Sequence, residues 1–330
     1  MNITPIKYHF FPEVISNTDM TSWSMCEYRW FLERCCNFVP IKETAEVNPD
    51  LLAGGVFAAG LNLARKSFFE ENKSEYDAIM LAENYVMDEL SKVDYDDPLK
   101  TPARMSSAIN EYFDEFPLDS EDKPVYLSNG QLAGEQSITI ELPFEHPITK
   151  KKLIFKGKLD SLISRYGKVH VIDDKTTKRI YKDEAARCSV DSQFMGYAYL
   201  AKTLGLECND VLVRKVGLYK GGNRFEEIAI TVSEYLQDEW YEGLLRKVKA
   251  MLDCYENYKI TKNERNFSKD FKLGCTAFNR ICPFSEPCRD PDYRPLLFSE
   301  FDQIIYDRRD ENNKKMVPLK EFLGEVLNEK

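Results

Sequence analysis

The stretch "GKLDSLISRYGKVHVIDDKTT", residues 157–177, constrains this chain most, because it sets Asp160, Asp173 and Lys175 among alternating apolar residues that read as a strand hairpin. Charge on a buried strand face is costly unless it is paired, hydrogen-bonded or bound to a cation. With Tyr166 and Gly167 as the two central residues of a tight turn, Asp160 faces Asp173 across the hairpin. Directly opposed residues place their Cβ atoms about 4.5–5.5 Å apart, and Lys175, two residues beyond Asp173, projects from the same face. Neighbouring carboxylates repel unless one is protonated or a cation joins them. Hard oxygen donors in this arrangement suit Mg²⁺ or Mn²⁺. Such an ion binds a phosphate oxygen and activates a water, and Lys175 is placed to neutralise charge developing on the phosphate. An Asp-x-Lys alone is more often a pair of ordinary surface charges; the opposed Asp160 and the basic surroundings favour a site.

Those surroundings are unusual for this chain. From Lys150 to Lys182 there are eleven basic residues against three acidic ones, whereas the whole chain carries a formal charge of −10. Net charge of that sign is wrong for a protein that coats nucleic acid, but it describes solubility better than local recognition, and the local count matters more. Lys158, Lys178 and Arg179 are the candidates for holding a nucleic-acid strand. The 330 residues, with 43% hydrophobic and 30% charged, suit a folded core rather than a disordered chain. The start lacks a basic segment followed by an apolar run, and no uninterrupted apolar stretch reaches about 18 residues, so a cytoplasmic protein with no membrane partner is expected.

Apolar spacings of three and four predict a helix over 18–36 with one buried face, a second is expected over 51–71, whose small residues allow close approach, and two more helical stretches around 75–91 and 102–115. The period changes to two at "QSITIELPF", residues 136–144, and the hairpin supplies two more strands. A helix over 186–204, a second hairpin over 210–232 and a long helix over 233–258 follow. This order predicts an α/β (α+β) core with a sheet flanked by helices. Three sections are expected: an N-terminal helical region, 1–128, packed on the core; the core itself, 129–260; and a cysteine-containing segment and tail, 261–330.

Gly157-Lys158-Leu159-Asp160, followed after twelve residues by Asp173-Asp174-Lys175-Thr176, resembles the signature of the PD-(D/E)XK nucleases, in the RecB-type exonuclease branch. Gln193-x3-Tyr197 in "SQFMGYAYL" matches the Q-x3-Y element of that branch. The resemblance implies a restriction-endonuclease-like mixed sheet. It makes Asp160 and Asp173 metal ligands, adds the carbonyl of Asp174, gives Lys175 the catalytic lysine role, and assigns Gln193 and Tyr197 to positioning DNA or supporting the site. One departure stands out. The early-helix histidine of such relatives is replaced in "AGGVFAAGLNLAR" by Ala58 or Ala59, and His170, at an odd separation from Asp173, points to the other face. Glu135 and Glu141 are the upstream acids that could compensate, although a strand glutamate is usually a solvated side chain.

Nine cysteines without a secretory signal argue against a disulfide framework. Cys275, Cys282 and Cys288 lie together in "GCTAFNRICPFSEPC", and "SWSMCEYRWFLE" around Cys26 resembles the N-terminal cysteine segment of iron–sulfur members of the branch, such as CRISPR-associated adaptation exonucleases and AddB-type nuclease domains. Four thiolates suit a [4Fe–4S] cluster or a tetrahedral zinc, and the resemblance favours the cluster. Cys35 and Cys36 compete with Cys26 for the fourth place; Cys188, Cys208 and Cys254 read as packing thiols. The expected activity is Mg²⁺- or Mn²⁺-dependent hydrolysis of DNA phosphodiesters, by an exonuclease acting on single strands or duplex ends. The family analogy places it in recombination, repair or phage DNA processing, with a helicase or recombination partner. The alternative is a catalytically weakened nuclease-fold scaffold that binds DNA or such a partner. A hydrolase of small phosphoesters is a third class, and the basic island argues against it.

Overall fold

The computed structural model describes residues 6, 8–41, 49–93, 97–127, 130–277, 281–290, 301–307 and 315–328. Contacts divide the chain into two units, each gathered from separated segments: Met1–Val47, Ile140–Lys156 and Glu242–Lys330 in the first, Asn48–Thr139 and Gly157–Tyr241 in the second.

The second unit carries the central hairpin. Strands β5 (Lys152–Arg165) and β6 (Lys168–Thr177) pair antiparallel, with Ser161 opposite Ile172 and Arg165 opposite Lys168. This is the register expected from the turn. Tyr166 and Gly167 adopt φ of 51° and 78°, the left-handed pair that matches hairpin twist. Strand β7 (Asp210–Tyr219) lies parallel to β6, and β8 (Gly222–Thr231) antiparallel to β7, so the sheet is mixed. Short β3 (Lys123–Pro124) and long β4 (Gly134–Glu145) both pair with β5.

Period-two alternation gives this sheet two unlike faces. On one, α3 (Pro49–Phe69), α4 (Glu75–Ser91) and α5 (Pro102–Glu115) bury an apolar cluster that includes Phe57, Leu61, Val86, Ile109 and Tyr112 together with Val216 and Leu218 of β7. The helix starts are set locally: Ser74 caps α4 by accepting from the amide of Asp77, and Thr101 caps α5 ahead of Pro102. On the other face lie α6 (Glu184–Ser189) and α7 (Ser192–Thr203), the crossover between the parallel strands β6 and β7. The single helix expected over 186–204 is interrupted there, because Asp191 turns its carboxylate to the amide of Gln193 and starts α7 afresh.

In the first unit, β1 (Val14–Ile15) pairs parallel with the opening residues of β5. The helix expected over 18–36 is divided into α1 (Asn17–Met25) and α2 (Glu27–Trp30), followed by a π-helical turn over Phe31–Cys35. Cys26 causes the division, since its φ of −167° is extended and its sulfur accepts from the amide of Arg29 at 3.5 Å. Strand β2 (Phe38–Pro40) pairs with β9 (Phe301–Asp307), which also pairs with β10 (Lys315–Pro318). Phe11, Trp30, Phe31, Tyr255, Tyr258 and Phe267 form an aromatic core around the later turns of α8 (Glu234–Thr261). Helices α9 (Ser285–Arg289) and α10 (Leu319–Asn328) complete the unit. Among the described residues no helix is long and apolar enough to cross a membrane.

Candidate active site on the central hairpin

The sheet face toward α6 and α7 gathers five residues singled out by the sequence. Asp173 is fully buried, and one carboxylate oxygen accepts from the Lys175 ammonium at 2.9 Å. Its other oxygen, Oδ2, is buried and has no hydrogen-bond partner among the described residues. Asp160 accepts from the backbone amide of Asp174 at 3.1 Å. From α7, Gln193 donates to the Tyr197 hydroxyl at 2.5 Å. Tyr197 is itself within electrostatic reach of Asp173, Lys175 and Asp160, so the Q-x3-Y pair lies beside the carboxylates.

The electrostatics follow from this crowding. Burial, and then the charges of Asp173 and Asp174, push the Asp160 carboxyl up to about 7. Burial likewise raises Asp173, with Lys175 opposing the shift. Burial alone would lower Lys175, but Asp173, Tyr197 and Asp160 raise it above the ordinary lysine value, so its charge is secure. Burial and then Asp173 keep Tyr197 protonated well beyond neutral pH. Two carboxyls that resist joint ionisation, with one oxygen lacking a donor among the described residues, form a donor set suited to a hard divalent ion. The carbonyl of Asp174 remains the third candidate oxygen, because the side chain of that residue is engaged elsewhere.

Asp174 points to the opposite face. Its carboxylate receives Arg65 at 2.8 Å and the Tyr112 hydroxyl at 2.6 Å, and Arg65 also donates to Tyr112 at 2.8 Å. Burial opposes its ionisation, yet Arg65, Arg214 and Tyr112 outweigh burial and hold it below the ordinary carboxylate value. Arg214 extends the network to Asp122 and Glu227, which also clasp Arg165. These partners were not singled out in the sequence. The rule that flagged Asp160 would have found Arg214, a charge inside the apolar strand "DVLVRKVGLY". Arg65 sits in the same way on the buried stripe of α3. A second unexpected pair lies on the carboxylate face: Lys215, level with Lys175 on the neighbouring strand, is ion-paired to buried Glu184.

Other expected residues are placed as follows. Lys158 is ion-paired to Glu135 at 2.9 Å and Lys178 to Asp97 at 2.8 Å, so both already have carboxylate partners. Arg179 lies over the ring of Tyr181, 4.8 Å from its centre. His170 is paired in the sheet with Ile163 and Asp210, away from Asp173.

Cys26, Cys275, Cys282 and Cys288 all fall in the first unit. A side chain built at Gly274 would meet the Cβ of Cys26 at 2.5 Å, and the amide of Cys282 donates to the carbonyl of Cys275 at 2.8 Å. Cys288 lies within electrostatic reach of Cys282, Cys26 and Cys275. The thiols are nevertheless not drawn to ligand distance: among the described residues, no group of three or more His, Cys, Asp or Glu side chains has metal-holding geometry. Instead Cys26 lies 3.9 Å from the carbonyl of Ser268 and Cys275 lies 3.6 Å from that of Asp270. Burial pushes Cys282 up to about 11 and Cys288 up to about 12, which favours neutral thiols where no metal stabilises the thiolate. Cys35 and Cys36 are fully buried, and burial raises both.

A mixed sheet flanked by helices, with acidic residues and a lysine on adjoining strands, defines a restriction-endonuclease-like class of protein. The model of the PD-(D/E)XK nuclease superfamily matches residues 14–289, and the chain belongs to that superfamily of metal-dependent nucleases. No curated protein matches it. Among solved structures, one protein from Eubacterium rectale, given only provisionally as an exonuclease, is similar with a TM-score of 0.44 and 17% identity over 82% of this chain and 89% of its own. Another, SSO0001, is similar with a TM-score of 0.26 and 15% identity over 59% of this chain and 73% of its own.

Proposed function

We propose that this protein is a Mg²⁺- or Mn²⁺-dependent deoxyribonuclease, an exonuclease that hydrolyses DNA phosphodiesters from single-stranded or duplex ends. The observation that carries this reading is the buried Oδ2 of Asp173, without a hydrogen-bond partner among the described residues, on the face shared with Asp160 and Lys175. Asp160, Asp173 and the carbonyl of Asp174 would hold the ion. When bound, it supplies Lewis-acid stabilisation of the phosphate and a water of lowered pKa. Lys175, secure in its charge, meets the negative charge that develops on the phosphate oxygens. Tyr197, kept protonated, offers a hydroxyl that Gln193 orients beside the carboxylates.

The reading extends to a role in recombination, repair or phage DNA processing alongside a helicase-type partner, which rests on family analogy alone. It also includes a [4Fe–4S] cluster on Cys26, Cys275, Cys282 and Cys288, supported by their shared unit and mutual electrostatic reach rather than by ligand distances. The number and type of donors suit either the cluster or zinc, and metal binding would close a loop across most of the chain. Iron, sulfide and zinc content of anaerobically purified protein decides: about four irons and four sulfides per chain is expected. Stoichiometric zinc would replace the cluster, and neither metal would remove the site.

The activity is tested with end-labelled single- and double-stranded DNA, in Mg²⁺ and in Mn²⁺, beside Asp173→Ala. Cleavage by the wild type alone, with mononucleotides released from an end, is expected. A folded wild type that binds DNA and does not cut it would sink the enzyme and leave a DNA-binding scaffold.

A further inference from the structure

We infer that the segment 179–187, between the strand bearing Lys175 and the helix bearing Gln193, is a stacking platform for single-stranded DNA. Tyr181 is exposed, and two guanidinium groups lie over its ring, Arg179 at 4.8 Å and Arg187 at 4.6 Å from the centre. Two like charges on one ring repel each other and favour an anion beside them. Among the described residues Arg187 is ion-paired with Asp183 at 3.0 Å, whereas Arg179 has no carboxylate within 4.0 Å. The cluster thus offers an exposed aromatic ring together with unspent positive charge. Unpaired bases, which keep their π-faces available next to a phosphate chain, match that chemistry; duplex bases are already stacked on one another.

The platform is held in advance of any ligand. Ile180 is buried against Gly217, where a side chain would come within 3.1 Å of it, and its amide donates to the Tyr219 hydroxyl at 2.8 Å. The amide of Tyr181 donates to Glu184 at 2.9 Å, and Glu184 is fixed by Lys215. This gives the Lys215–Glu184 pair a purpose: it sets Tyr181. The platform also borders the carboxylate face, since Cys188, next after Arg187, lies within electrostatic reach of Asp173.

The inference rests on the nuclease reading for its setting, and its test does not depend on cleavage. Fluorescence anisotropy in EDTA compares wild-type protein binding to oligothymidylate, to an abasic deoxyribose-phosphate oligomer of the same length, and to a blunt duplex. Wild type is expected to prefer oligothymidylate over the abasic oligomer by about tenfold or more, the scale of base–aromatic stacking. Tyr181→Ala should bring that ratio close to one, while Tyr181→Phe keeps it. Arg179→Ala should weaken both oligomers alike and flatten the salt dependence. Equal binding of the two oligomers by wild type, a ratio unaffected by Tyr181→Ala, tighter binding of the duplex, or equal binding of heparin would overturn the platform. A base preference in a protein that shows no Mg²⁺- or Mn²⁺-dependent cleavage would retain the platform and remove the nuclease.

Discussion

Asp173 and Asp174 are consecutive on one strand, both buried, and opposite in character. Asp174 faces Arg65, Tyr112 and Arg214 and is held ionised by donors that meet both its oxygens. Asp173 faces Asp160 and Lys175, is raised by burial, and keeps one oxygen without a hydrogen-bond partner among the described residues. A single step along β6 therefore moves a carboxylate from a satisfied structural network to an unsatisfied set. The difference teaches what to look for in a candidate site: an incompletely compensated charge marks a candidate ligand position, whereas a charge with all its partners marks a structural one.

Exchanging the two losses tests this contrast most severely. Asp173→Ala should lower cleavage by more than about 100-fold, beyond the range for losing a mere outer partner of a metal ligand, while leaving the urea midpoint unchanged or higher. Asp174→Ala should do the reverse in kind, costing about 3–5 kcal/mol of stability in urea unfolding, because it strands the buried Arg65 guanidinium. An Asp173→Ala protein that is strongly destabilised, or an Asp174→Ala protein of full stability, would erase the distinction.

The two faces also differ in the sign of their pH dependence. Asp160 binds its proton more tightly folded than unfolded, so its contribution to stability is complete below the ordinary carboxylate value near 3.8 and is lost as pH rises through about 7. Asp174 has the opposite sign, its contribution being complete above the ordinary value and lost as pH falls. In EDTA, the urea midpoint of wild type should therefore fall relative to Asp160→Asn between pH 5 and pH 8, and excess Mn²⁺ should close the gap. A gap independent of pH would contradict the raised carboxyl.

Smaller effects refine the picture. Tyr112→Phe removes one donor from Asp174 and should cost about 1–3 kcal/mol in stability, with little change in cleavage per folded molecule. Gln193→Ala frees the Tyr197 hydroxyl from its donor and should lower kcat a few-fold, with Tm unchanged. Equal losses of stability from the two substitutions would argue that both faces are merely structural.

Much of this was legible in the chain. The period-two alternation and the Tyr166-Gly167 turn determined the hairpin register, because a one-residue slip would turn every apolar side chain to the wrong face. The helices over 75–91 and 102–115 also lie where they are expected from the chain. The helices expected over 18–36 and 186–204 are each divided, since the breaks at Cys26 and Asp191 depend on side-chain caps within otherwise helical sequence. Asp160, Asp173 and Lys175 could be brought to one face by local geometry alone, and Gln193 and Tyr197 by their motif. Tertiary structure decided the rest: Arg65, Tyr112 and Arg214 come from three elements far apart in sequence, and no short-range pattern says which buried charge they compensate. It also decided that Lys158 and Lys178 spend their charge on Glu135 and Asp97, while Arg179 and Arg187 gather at Tyr181. Sequence determines which face a side chain takes, because alternation is a property of the strand. Only the fold determines whether that side chain finds a partner there, because partners arrive from distant parts of the chain.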